Sequence, residues 1–126
     1  CCIDQVNAVM SPQKQSVPVD GCCKLYLCGW AFCPAVKLTE DAPGYLLFID
    51  QKNPDAAFFA PLAHRAPRED VAAAFPRLPK SETLYSGFKM TVDISALPPG
   101  DYHPCFVFRT ESGATLCQGE ATLEVL

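Results

Sequence analysis

His64, Arg68, Glu69 and Asp70 crowd into one short stretch, HRAPRED. A histidine beside two carboxylates is the raw material of general acid–base chemistry, which needs a positioned proton carrier with a tuned pKa. On that reading the chain is a small hydrolase or a metalloprotein using His64, Glu69 and Asp70. The same residues also spell a helix start. Pro67 suits the first helical position, Glu69 and Asp70 complement the positive end of the peptide dipole, and Arg68 pairs with a carboxylate elsewhere. The helix reading is preferred, because no second catalytic element accompanies the stretch. There is no G-x-S-x-G, phosphate-binding loop or H-E-x-x-H pattern, and Ser86 in YSGF has no base at a recognisable spacing. No catalytic, cofactor-binding or metal-binding residue is therefore expected.

Eight cysteines are the next candidates for chemistry. Cys23 and Cys28, and Cys28 and Cys33, have the C-x4-C spacing of one zinc knuckle, but Cys105 and Cys117 are too far apart to form the second. Free thiols or one or two disulfides are the expected alternative. If the hairpin between the last strands turns at Glu111, Cys105 and Cys117 are cross-strand neighbours able to form a disulfide. A turn shifted by half a residue places Cys105 opposite Gln118 instead. The two histidines, His64 and His103, lack the partners a zinc site needs.

Composition narrows the class. The 126 residues suit one domain, and 49% apolar residues allow a real core. A net charge of −4 with scattered basic residues argues against a nucleic-acid partner. No window is apolar enough over its length to span a bilayer. Starting at Cys1, the sequence reads as a processed chain or a piece of a longer one, whose remainder would supply any membrane anchor.

These residues need a scaffold, and the periodicity supplies one. Phe88, Met90, Val92 and Ile94 alternate with polar residues, the pattern of a half-buried strand. Strands are also expected at Ile3–Met10, Cys22–Phe32, Tyr45–Asp50, Ala56–Leu62, Asp101–Thr110 and Ala114–Leu126. Gly29 suggests a bulge in the second of these, and Pro61 marks the strand holding it as an edge. A short crossover helix over about residues 67–75 docks through Val71 and Phe75, since so short a helix is not stable alone. About seven strands at this spacing predict an all-β, antiparallel β-sandwich of immunoglobulin-like type. Residues 1–18 form a strand or linker segment, and residues 19–126 the sandwich domain. In LPPGDY, Tyr102 has the layout of a tyrosine corner, its hydroxyl bonding back to the preceding connection. Trp30 and Phe88 are expected in the core, with Arg68, Asp70, Phe75 and Tyr102 also structural. Tyr26, Tyr45 and Tyr85 are the candidate ligand-contacting aromatics.

The ordered set CGWAF (Cys28–Phe32), REDVAAAFP (Arg68–Pro76) and SGFKMTVDISALPPGDY (Ser86–Tyr102) resembles an immunoglobulin-like accessory domain. That domain occurs in bacterial glycosyltransferases and in membrane proteins of cell-surface polysaccharide assembly. Its G-W-A, R-x-D-V-A, S-G-F and L-x-x-G-x-Y elements fall here on Gly29, Trp30, Arg68, Asp70, Val71, Ser86, Gly87, Phe88 and Gly100. The clustered cysteines and His64 depart from the pattern. The resemblance implies a non-catalytic module, contacting a protein partner or a glycan, on the extracytoplasmic side of a bacterial cell. A free-standing carbohydrate-binding module is the alternative, and exposed aromatics in a row would mark it.

Overall fold

The computed structural model describes residues 1–21, 24–62, 64–111 and 113–126. Cys22 and Cys23, with which the expected second strand and the first C-x4-C spacing begin, and Ser112 of the expected hairpin turn lie outside the described residues. The described chain forms β1 (Cys2–Val6), β2 (Val9–Met10), β3 (Ser16–Val19), β4 (Lys24–Trp30), β5 (Tyr45–Asp50), β6 (Ala57–Pro61) and β7 (Arg65–Ala66). Helices α1 (Glu69–Ala74) and α2 (Lys80–Thr83) and a 3-10 turn over Leu84–Ser86 follow. The chain then closes with β8 (Gly87–Asp93), β9 (Gly100–Thr110), β10 (Gly113–Gln118) and β11 (Thr122–Val125).

Two sheets result. The first runs β2-β1-β4-β8-β7, and the second runs β3-β11-β9-β5-β6 with β10 also paired to β9. β10 takes the far half of β9 and β11 the near half, on the side away from β5. They are one last strand broken at 119–121, where the Gly119 amide still donates to the Pro104 carbonyl. With β1, β4, β8 and β7 in one sheet and β5, β9 and the broken last strand in the other, the arrangement is that of an immunoglobulin-like sandwich. β6 adds an edge strand, as Pro61 implies. Residues 1–18 enter both sheets. β1 pairs with β4 in the first, and β3 runs parallel to β11 in the second.

Alternation dictates the core. Leu25 and Leu27 of β4, Leu46 and Phe48 of β5, and Phe106 and Phe108 of β9 all turn inward and are buried. Phe88 meets Phe106 across the gap at 4.9 Å between ring centroids, so the expected core position of Phe88 is found. Each such ring is worth about 1.5–3 kcal/mol in removed apolar surface. Tyr102 is fully buried, and its hydroxyl donates to the Pro98 carbonyl at 2.7 Å, closing the tyrosine corner.

Trp30 differs from expectation. Gly29 takes the inward slot after Leu27, so Trp30 points to the outer face of the first sheet and is half-buried there. The bulge is also on the neighbouring strand. Ile3 pairs with Gly29 and Gln5 with Cys28, leaving Asp4 as the extra residue. A Cβ at Gly29 would sit 2.1 Å from the Cys2 carbonyl oxygen, so the bulged strand closes only over glycine.

Of the two registers open for the last hairpin the shifted one is found, so Cys105 and Cys117 form no disulfide with each other. The register sets Cys105 opposite Gln118 and Cys117 opposite Phe106, which puts the two cysteines on opposite faces of the sheet. Cys117 points inward and bonds Cys1 instead, with Cα atoms 6.2 Å apart. That bond ties the start of the first sheet to the end of the second over a sequence separation of 116.

Two outcomes follow for solution measurements. Peptide mapping without reductant recovers a Cys1–Cys117 cross-link. Cys117→Ser lowers the unfolding free energy by roughly 2–5 kcal/mol, whereas Cys105→Ser leaves the cross-link in place. Recovery of a Cys105–Cys117 peptide contradicts the register. Separately, Tyr102→Phe removes the hydrogen bond to the Pro98 carbonyl and costs about 0.5–1.5 kcal/mol in denaturant melts, and no loss at all contradicts the corner.

Candidate functional site

At the helix start, the charged residues are engaged with each other and with the fold. The Arg68 guanidinium forks onto Asp70, with Nε donating to Oδ1 and Nη2 to Oδ2, both at 2.8 Å. Its Nη1 donates to Asp4 Oδ2, also at 2.8 Å, at the bulge of β1. The Arg68 stem crosses Gly87, where a Cβ would come within 2.7 Å of its Cγ. Arg68 therefore holds Asp70 well below the usual carboxylate range, at about 2, so Asp70 is a fixed anion rather than a proton carrier. Glu69 meets Lys80 at 3.6 Å on the exposed surface. His64 lines a separate shallow cleft with Lys89, Met90 and Asp93, which neither Glu69 nor Asp70 enters. The three residues of the hydrolase reading are not brought together.

The other chemistry-bearing groups are equally quiet. Ser86 Oγ is buried and, among the described residues, has no hydrogen-bond partner placed to activate it. Burial, with Asp4 nearby, pushes the Cys2 thiol up, and burial alone pushes Cys105 up. Both shifts oppose the thiolate that cysteine chemistry requires. Among the described residues no group of three or more His, Cys, Asp or Glu side chains is placed to hold a metal.

The aromatics fall into separate groups. Trp30 stacks on Phe32 at 5.7 Å, and Phe75 at the end of α1 meets both edge-on, at 5.9 and 4.9 Å. This is how the short helix docks, with Val71 buried beneath it. Tyr26 lies on the outer face of the same sheet, and Tyr85 packs half-buried in the 3-10 turn. Tyr45 is on the opposite side of the molecule, on the outer face of the second sheet. The three tyrosines do not form one surface.

Tyr45 has other neighbours. In the register of the second sheet, one row runs Pro61, Tyr45, Val107, Leu116 across four strands, and the next runs Phe59, Leu47, Cys105, Gln118. Tyr45 and Phe59 meet edge-on at 6.1 Å. Phe59 is 70% exposed and Leu116 55%, far more than their apolar side chains need to be. Exposed apolar rows of this kind mark contact surfaces. At one end of the face, Arg109 lies over the Tyr45 ring at 6.0 Å and borders a cleft shared with Lys37 and Gly44. Phe59, Leu116, Lys37 and Arg109 were not singled out by the sequence. The outward parity of Phe59 within AFFAP was the one signal pointing to it.

No family model, curated protein or solved structure matches the chain.

A titration separates a structural Arg68 from a catalytic one. By NMR, Asp70 should titrate at about 2 in the native chain and near the ordinary value of about 3.9 in Arg68→Gln. The folded pKa is depressed, so the contribution to stability is present above the unfolded value and is lost as pH falls toward 2. An Asp70 that titrates near 4 in the native chain contradicts the fork.

Proposed function

We propose that the chain is a non-catalytic immunoglobulin-like interaction module of a bacterial cell-envelope or glycosyltransferase-associated protein. It contacts a glycan through the outer face of its second sheet. One observation carries this reading. Tyr45 and the exposed Phe59 adjoin on that face, in rows continued by Leu47, Val107 and Leu116. Aromatic rings on a rigid sheet offer flat apolar surfaces at little entropic cost, and sugars present C–H faces that pack on them. The separation of His64, Glu69 and Asp70 supports a binding role over a hydrolytic one. The Cys1–Cys117 disulfide favours an oxidising, extracytoplasmic setting.

A protein partner is the second reading, favoured by the aliphatic part of the face, Leu47, Val107 and Leu116. Such a surface suits the apolar centre of a protein contact.

The test is binding to an array of bacterial surface polysaccharides, with native chain and Phe59→Ala side by side. Phe59→Ala should change stability by no more than about 0.5 kcal/mol, as surface substitutions do. It should weaken polysaccharide binding at least about tenfold, the loss expected of an aromatic anchor. Binding that ignores the substitution, or hydrolysis of an arrayed polysaccharide that depends on His64, contradicts the proposal.

A further inference from the structure

One end of the outer face opens into a trough whose first section is lined by two cations, Lys37 and Arg109. Its first section, about 350 Å³, is lined by Lys37, Gly44, Tyr45, Phe108 and Arg109 among others, with no acidic side chain in its lining. A second section of about 460 Å³ shares Val36 and Arg109 with the first and runs on to Glu111. The two sections adjoin beside β9 through these shared residues. Glu40 and Asp41 belong to the connection that forms one wall; like Lys37 and Arg109 they are solvent-exposed, but only the two cations enter the lining.

Behind that wall is Arg65, only 3% exposed. Its Nε donates to the Ala42 carbonyl at 3.2 Å and its Nη1 to the Ala31 carbonyl at 3.5 Å, while its guanidinium lies 5.6 Å from the Phe108 ring centroid. Nη2 has no partner. It abuts the bare backbone of Gly44, where a Cβ would come within 2.6 Å, so only a glycine separates it from the trough. Among the described residues, no carboxylate forms an ion pair with Arg65, Lys37 or Arg109. A buried cation met only by neutral carbonyls and a ring is costly unless an anion comes close. Burial accordingly weakens its hold on its proton.

Resting on the glycan reading above, we propose that this trough binds an acidic polysaccharide. A uronic sugar would place its carboxylate between Lys37 and Arg109, in the field of Arg65. Guanidinium matches a carboxylate in two-pronged fashion. The adjoining Tyr45 ring accepts the apolar face of the same sugar, which a free phosphate or sulfate would leave unused.

The experiment is titration of the intact chain with polygalacturonate, a neutral glucan and dextran sulfate, at low and at raised salt. Polygalacturonate should bind at least tenfold more tightly than the neutral glucan, and salt should weaken it. Lys37→Glu with Arg109→Glu should abolish that preference. Lys24→Glu with Lys89→Glu, the same charge change on the opposite sheet, should leave it intact. Equal loss in both pairs, or tighter binding of dextran sulfate than of polygalacturonate, reduces the effect to charge alone and overturns the inference. Phe59-dependent binding of the neutral glucan without preference for the acidic one overturns this inference and leaves the glycan reading standing. Binding of no polysaccharide overturns both.

Discussion

Everything at the helical end of the molecule depends on Arg68. Its stem is admitted by Gly87, and its head takes one carboxylate from its own helix and one from a bulge more than sixty residues earlier. That ties the bulge of β1 to the start of α1, and α1 in turn carries Phe75 against Trp30 and Phe32. The same contacts use up the acid that would otherwise look catalytic. The Arg68 fork keeps Asp70 ionised, and an ionised, tied carboxylate is a poor proton carrier near neutral pH. The electrostatics that hold this end together are thus what moves attention to the other side of the sandwich.

On that other side the constraint is geometric. Four strands in register place side chains of like parity in rows, and the inward rows are filled by large apolar groups. The outward rows are apolar too, which the core does not require. A sheet face with one half-buried tyrosine, one largely exposed phenylalanine and a cation over the tyrosine ring combines flat surface with charge. The rigid core behind it means such a surface is formed before any ligand arrives, which lowers the entropic cost of binding.

Much of the architecture was legible because alternation is a strong signal where one face is buried. The strand from Phe88 onward, Tyr45–Asp50 with the residues found, the edge strand with Pro61 and the corner at Tyr102 all came from local pattern. What escaped were elements too short for a period to show. β3 has four residues and β7 two, and α2 is a single turn. The disulfide was missed for a related reason. Hairpin register turns on one residue, and that residue decides which face Cys117 joins. Trp30 was placed in the core because a large ring in an apolar run is usually buried, but Gly29 beside it held the inward position. At the candidate site Tyr45 was legible as an aromatic, whereas Arg65 and Arg109 were not. Nothing local distinguishes a buried arginine from an exposed one, and the trough is assembled from segments about seventy residues apart in the chain.

One measurement addresses the charged helix start and the proposed binding face at once. Amide chemical-shift mapping of the isotope-labelled chain with galacturonate oligomers reports every residue in one experiment. The account predicts perturbations grouped on Tyr45, Phe59, Val107 and Arg109, with Arg68, Glu69 and Asp70 unmoved. Perturbations centred on His64 and the helix start, with the second sheet silent, would contradict it.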